Sequence, residues 1–214
     1  MKKTLSTLLL LAGFFSSTSV FGLALNFAPA GGVAWTLGKK VDEAGTGFNA
    51  GGSVEVEVWK GFDYGFRYLY SNVPSTVPNQ FNGDTSVSSY DVTFLNNAFL
   101  LTNTWSPGWR WVDPYLRGSA GLYSWKENSG DTILKAEIIN TTTKDTTYND
   151  VKATSFGISL GGGIAVWPLE FLGIRLGVDY DMVFSEDKEK FGADDANENL
   201  LRVGGEVIFR FPLK

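Results

Sequence analysis

The feature that most constrains this chain is a strict two-residue alternation. In residues 172–184, Leu172, Ile174, Leu176, Val178, Tyr180, Met182 and Phe184 share one parity, and Gly173, Arg175, Gly177, Asp179, Asp181 and Val183 share the other. A helix would scatter these charges around an apolar cylinder. A strand separates them cleanly, because successive side chains point to opposite faces. The pattern recurs in 62–71, where Phe62, Tyr64, Phe66, Tyr68 and Tyr70 oppose Asp63, Gly65, Arg67, Leu69 and Ser71. In 153–167, Phe156, Ile158, Leu160, Ile164 and Val166 oppose Ser155, Gly157, Ser159, Gly161, Gly163 and Ala165. In 199–211, Leu201, Val203, Val207, Phe209 and Phe211 oppose Arg202, Gly204, Glu206 and Arg210, and in 53–58 three valines oppose Ser53, Glu55 and Glu57.

Periodicity and turn residues predict strands near 31–38, 48–59, 62–71, 87–104, 114–125, 153–167, 171–184 and 199–211. Two of these are less regular. The first is short, with Val33, Trp35 and Leu37 on its apolar face. In 87–104, Tyr90, Val92, Phe94, Ala98 and Leu100 are assigned to the apolar face with Asn96 interrupting it, and Leu95, Phe99 and Leu101 to the other. A bulge is expected to switch the faces partway along.

Side-chain size decides which face looks inward. A soluble barrel or sandwich buries its apolar face, whereas a membrane barrel turns that face to lipid and keeps the polar one inside. Here the apolar faces are bulky and uncharged, and the opposite faces carry Gly, Ser and Ala beside Arg, Asp and Glu. Large apolar side chains from eight strands would overfill a small lumen, whereas small residues with a few long charged ones fit it. The expected fold is therefore all-β: a single closed antiparallel up-and-down transmembrane barrel of about eight strands. A soluble lipocalin-like binding barrel is the competing reading.

The connections alternate in length. Short ones fall near 60–61, 106–113 and 168–170; longer polar ones near 39–47, 72–86, 126–152 and 185–198, and 132–139 has the character of an extra hairpin. Outer-membrane barrels pair short periplasmic turns with long extracellular loops, and an even strand count puts both termini on the short-turn side. Residues 1–22 read as a cleaved signal peptide. Lys2 and Lys3 precede an apolar stretch, 8–15, and small residues allow cleavage after Gly22 or Ala24. Residues 23–214 then form the barrel domain. No later apolar run approaches the ~18 residues of a spanning helix, so membrane entry requires a closed barrel.

The predicted interior collects Glu55, Glu57, Asp63, Asp179, Asp181 and Glu206 with Arg67, Arg117, Arg175, Arg202 and Arg210. Buried charges must be paired. One antiparallel register of the last hairpin sets Asp179 opposite Arg202 and Arg175 opposite Glu206 together, and Glu55 is expected to face Arg67. Such a network either plugs the lumen or lines a narrow porin-like channel. Trp59, Trp105, Trp109, Trp111 and Trp167 lie at or beside the short turns, and Tyr68, Tyr70 and Tyr180 toward the long connections, as interfacial aromatics would.

Composition narrows the function classes. The net charge of −5 disfavours a nucleic-acid partner, which needs a basic face. The chain has no Cys and no His, which removes thiol chemistry and the usual general base. No catalytic, cofactor or metal site is expected. The acidic stretch 185–199 lacks the ligand spacing of a calcium loop.

Two stretches carry a family resemblance. DPYLRGSAGLYSW, residues 113–125, resembles the Pro-Tyr-aliphatic-x-Gly-x-Ala/Gly-x-Gly strand of the small OmpA/OmpX-like outer-membrane β-barrel family. LLRVGGEVIFRF, residues 200–211, resembles that family's terminal strand, although here Pro212, Leu213 and Lys214 follow it. The resemblance implies a place in the bacterial outer membrane, contact with its lipid and lipopolysaccharide, and recognition by the barrel-assembly machinery through Phe209 and Phe211. It also implies a structural or surface-interaction role exerted through the long extracellular loops.

Overall fold

The computed structural model describes residues 23–37, 43–78, 89–109, 111–129, 132–133, 135–139, 146–150, 152–184 and 198–213. The expected signal peptide, 1–22, and most of the acidic stretch 185–199 lie outside them. The elements in order are β1 (Ala24–Thr36), β2 (Glu43–Ala44), β3 (Gly47–Trp59), β4 (Phe62–Pro78), β5 (Ser89–Trp105), β6 (Val112–Ser129), β7 (Thr132–Ile133), β8 (Lys135–Ile139), β9 (Thr146–Asp150), β10 (Lys152–Leu169), β11 (Leu172–Phe184) and β12 (Glu198–Pro212).

Eight of these strands form the wall: β1, β3, β4, β5, β6, β10, β11 and β12. Each pairs antiparallel with the next, and β12 pairs back onto β1, so the sheet closes without an edge. Closure leaves no unpaired edge for lipid to meet. The short strands sit at the long-connection end: β2 on β4, β7 on β6, and β8 with β9 as a separate hairpin within 126–152.

The structure corrects the reading of 87–104. Val92, Phe94, Asn96, Ala98, Leu100, Thr102 and Thr104 are the buried, inward-facing residues of β5, whereas Phe99, Leu101 and Trp105 are exposed on the outside. The register with β4 runs unbroken from Phe62↔Trp105 to Pro78↔Ser89, so no bulge intervenes. Asn96 therefore does not interrupt an outer face; it is an interior polar residue. The inner face of this strand is apolar near the long connections, which inverts the cue that worked elsewhere.

Prolines mark the other differences. The first strand begins at Ala24 rather than near residue 31 and runs through Pro29. The β1–β12 pairing passes from Phe27↔Phe209 to Ala30↔Glu206 without rungs between, so the missing N–H of Pro29 falls where the ladder is interrupted. In the expected loop 72–86, β4 instead continues to Pro78. Its last rung with β3 is Phe48↔Asn72, and Pro74 falls in the gap before β2 resumes the pairing at Ala44↔Ser75, where a lost donor costs little.

One of two two-residue connections between wall strands is Lys60–Gly61, where Gly61 has φ 80° and its carbonyl accepts a 2.8 Å bond from the Ser106 N–H of the next turn. A Cβ there would collide with the Ser106 carbonyl oxygen. We expect Gly61→Ala to destabilise the barrel by about 1–3 kcal/mol through strain at a left-handed position, read by urea unfolding in detergent micelles. Gly65→Ala, inside β4 and without positive φ, separates the conformational cost from the steric one.

Candidate functional site

The alternation puts one residue in two from each wall strand into the lumen, and there the charged side chains meet. Glu206 of β12 lies at the centre. Its two oxygens accept from Nη1 and Nη2 of Arg117, each at 2.7 Å, a bidentate pairing. Arg67 Nη2 lies 3.1 Å from Glu206 Oε1 and Arg175 Nη1 3.5 Å from Oε2. Arg175 also reaches Glu55 Oε2 and Asp63 Oδ2, both at 3.1 Å, and Arg67 reaches Asp179 Oδ2 at 2.8 Å. Ser53 Oγ donates to Glu55 at 2.8 Å, and Arg117 Nε donates to Thr104 at 3.2 Å. The ring of Tyr115 lies between the guanidinium carbons of Arg117 and Arg175, 5.3 and 5.4 Å from its centre. Residues from nearly every wall strand contribute to this layer, so it ties opposite walls together.

The predicted register and the observed ion pairs differ instructively. Arg175 does stand opposite Glu206 and Asp179 opposite Arg202 along the backbone. Across a closed lumen, however, long side chains reach the far wall. Asp179 pairs with Arg67, while Arg202 takes Asp181 at 2.5 Å and donates to Ser71 at 3.2 Å. Glu55 pairs with Arg175 and not with Arg67. Glu57 pairs with Arg210 near the short turns.

Above this layer, toward the long connections, an apolar cluster fills much of the lumen beside the buried polar side chains of Ser71, Asn96, Asp181 and Arg202. Leu69, Val73, Phe94, Ala98, Leu100, Tyr123, Trp125, Val183 and Leu200 form a buried cluster, with Phe94 and Trp125 stacked at 5.9 Å. Tyr115, Tyr123, Trp125 and Phe94 thus correct the expectation that small and charged residues alone fill the interior. Inward glycines make the room: a Cβ on Gly157 would strike the ring of Tyr123, one on Gly177 the hydroxyl of Tyr115, and one on Gly161 the carboxylate of Asp179. Below the ionic layer a cavity of about 390 Å³ opens at the short-turn end, reaching Asp63, Tyr115, Arg175 and Arg210. Asp113, missed by sequence reasoning, borders it and accepts from the N–H groups of Gly108 and Trp109 at 3.0 Å each.

The outer surface has the opposite character. Phe66 is 71%, Leu116 64% and Leu101 62% exposed, within a belt that includes Phe27, Val54, Tyr64, Leu122, Phe156, Leu160, Leu176, Val178 and Phe209. Among the described residues, outward positions of the wall strands carry charge only at Asp91, Lys126 and Lys152, at the long-connection ends. A continuous apolar girdle of this kind is far larger than the patches soluble monomers expose. Searches of solved structures return this architecture. Neisserial surface protein A superposes with a TM-score of 0.55 at 12% identity, covering 91% of this chain and 100% of that one. The fold is that of an OmpA/OmpX-like outer-membrane barrel. A major outer membrane protein from Thermus thermophilus aligns at a TM-score of 0.47 and 15% identity, covering 87% of this chain and 99% of that one. Ail of Yersinia pestis, in complex with a heparin analogue, aligns at 0.42 and 15%, covering 89% and 100%. No protein-family model and no curated protein sequence matches the chain.

On this OmpA/OmpX-like barrel, Trp59, Trp105, Trp109 and Trp111 are exposed around the short turns, and Tyr68 is exposed on the outside with its hydroxyl 2.8 Å from Asn97. Tyr70 and Tyr180 also face outward and are half-buried. Trp167 departs from the belt. A register shift follows Val166, and its ring lies against Gly173 of the inner face with the Arg210 guanidinium 5.5 Å from the ring centre. It borders the cavity instead of facing outward. Phe209 and Phe211 are exposed on the outside of β12, opposite Phe27 and Leu25 of β1.

Proposed function

We propose that this chain is an integral protein of the bacterial outer membrane that acts as a closed structural barrel. Both termini face the periplasm, and the long extracellular connections make its specific contacts. One observation carries the closed reading: the Arg117–Glu206–Arg175–Glu55 layer crosses the lumen, each side chain is at least nine-tenths buried, and the apolar cluster lies stacked above it. An ion crossing this barrel would have to break several charge-assisted bonds at once, in a low-dielectric site where each is strong. The cavity at the short-turn end is a shallow vestibule that stops at this layer. Lipid and lipopolysaccharide surround the apolar girdle in this reading, and Phe209 and Phe211 present the terminal strand to the assembly machinery.

Planar-bilayer recording on the purified protein tests it. We expect no steady single-channel steps above background, together with a folded band that shifts in gel mobility only after heating. Large, steady conductance would replace this proposal with a narrow porin-like channel.

A further inference from the structure

The apolar girdle stops abruptly at one place on the wall. Strands β6 and β10 run in unbroken register from Val112↔Val166 to Lys126↔Lys152. Their outward residues are apolar or small up to the facing pair Leu122 and Phe156, each more than half exposed. The next outward pair is Ser124 with Thr154, and the one after it is Lys126 with Lys152. Two hydroxyls and two ammonium groups therefore form a two-by-two block of donors on one face of two neighbouring strands.

Like charges directly opposite each other on a sheet face repel, so this pair is costly without an anion to share. Asp150 partly answers it, with Oδ2 2.7 Å from Lys152 Nζ, both side chains well exposed. Among the described residues Lys126 has no ion pair. The other outward charge, Asp91, lies four residues farther up β5 than Leu95, the register partner of Lys126. The height of the block identifies the anion. At ~3.4 Å per residue and a strand tilt of ~40°, the lysine pair stands about 10 Å above the Leu122–Phe156 pair. With Leu122 and Phe156 as the last pair within hydrocarbon, that offset carries the lysine pair into the headgroup layer, which is ~5–7 Å thick on each side, and lysine stems reach along it readily.

We propose that Ser124, Lys126, Lys152 and Thr154 bind the phosphate of a membrane lipid in the leaflet on the long-connection side. The site rests on the membrane reading above and adds a lipid class and its ligands to it.

Native mass spectrometry of the full chain, released from a neutral detergent, tests the site. The probes are phosphatidylglycerol and an uncharged glycolipid with the same acyl chains. The wild type is expected to retain phosphatidylglycerol preferentially. K126Q/K152Q is expected to weaken that retention by about 30-fold, since each lysine near an anionic surface contributes comparably. K126R/K152R should keep it, and D150N, which removes the competing carboxylate, should strengthen it. Equal retention by the wild type and K126Q/K152Q overturns the proposal. So does displacement of the lipid by millimolar inorganic phosphate alone, which would make the block a free-phosphate site. Heat-modifiable mobility, unchanged across these exposed-site variants, certifies that each is folded. A wild type that stays in solution without detergent would sink the membrane reading itself. Detergent dependence with no lipid preference would sink this site alone.

Discussion

Glu206→Gln is expected to lower the unfolding free energy by about 3–5 kcal/mol, the usual cost of removing one partner from a buried ion pair. The substitution keeps shape and volume, so packing changes little. It removes the single charge on which Arg117, Arg67 and Arg175 converge. Arg117, 3% exposed, loses its bidentate partner and keeps only Glu55 at 3.8 Å among the described carboxylates, while Arg67 retains Asp179 and Arg175 retains Glu55 and Asp63. The measurement is urea unfolding in lipid vesicles, followed by the fraction of protein that keeps its folded gel mobility. The double variant Glu206→Gln, Arg117→Gln should cost less than the sum of the two singles by ~1–3 kcal/mol, the coupling expected of direct partners in one network. A single-variant effect under about 1 kcal/mol, well below the buried-pair range, would mean that water reaches these arginines freely and that the lumen is open.

Val178→Arg tests the outside with the same assay. Val178 lies midway along β11 between Leu172 and Phe184, is 45% exposed, and faces outward between Gly162 and Val203. On a soluble barrel, an exposed position of this kind tolerates arginine within about ±0.5 kcal/mol. At the midplane of a bilayer the same change costs about 2–4 kcal/mol. The expected result is the larger penalty in vesicles. Phe211→Arg, at the end of β12 near the short turns, should cost about 0–1 kcal/mol, because the penalty falls off toward the interface. A flat profile along the strand would point to water on that face.

Much of the fold was legible in the sequence because lipid and a narrow lumen impose opposite demands on adjacent residues. Strand β11 shows this most clearly: every outward residue is apolar, and every inward one is small, charged or, at Val183, modest in size. The register of the last hairpin was legible for the same reason, since only one alignment sets both opposite-charge pairs across from each other. Strand β5 was misread because its inner face enters the apolar cluster, so hydrophobicity there reports burial among protein side chains and not contact with lipid. The individual ion pairs were illegible in principle. Register specifies neighbours within the sheet, but Arg67 and Arg175 extend across the barrel to partners more than 100 residues away. Trp167 was misplaced because its position beside a short turn was read as interfacial, although it shares the odd parity of Ser159, Gly161, Gly163 and Ala165 on the inner face of β10.

The layering of the interior gives the molecule two unlike doors. Among the described residues, the long-connection side of the lumen presents Trp125, Phe94, Leu200 and Val183, with few hydroxyl and amide groups between them. A solute arriving from the other side enters an aqueous antechamber and touches Asp63 and Arg175 directly. In the closed reading proposed above, small hydrophilic probes would therefore reach the buried ions from the short-turn side.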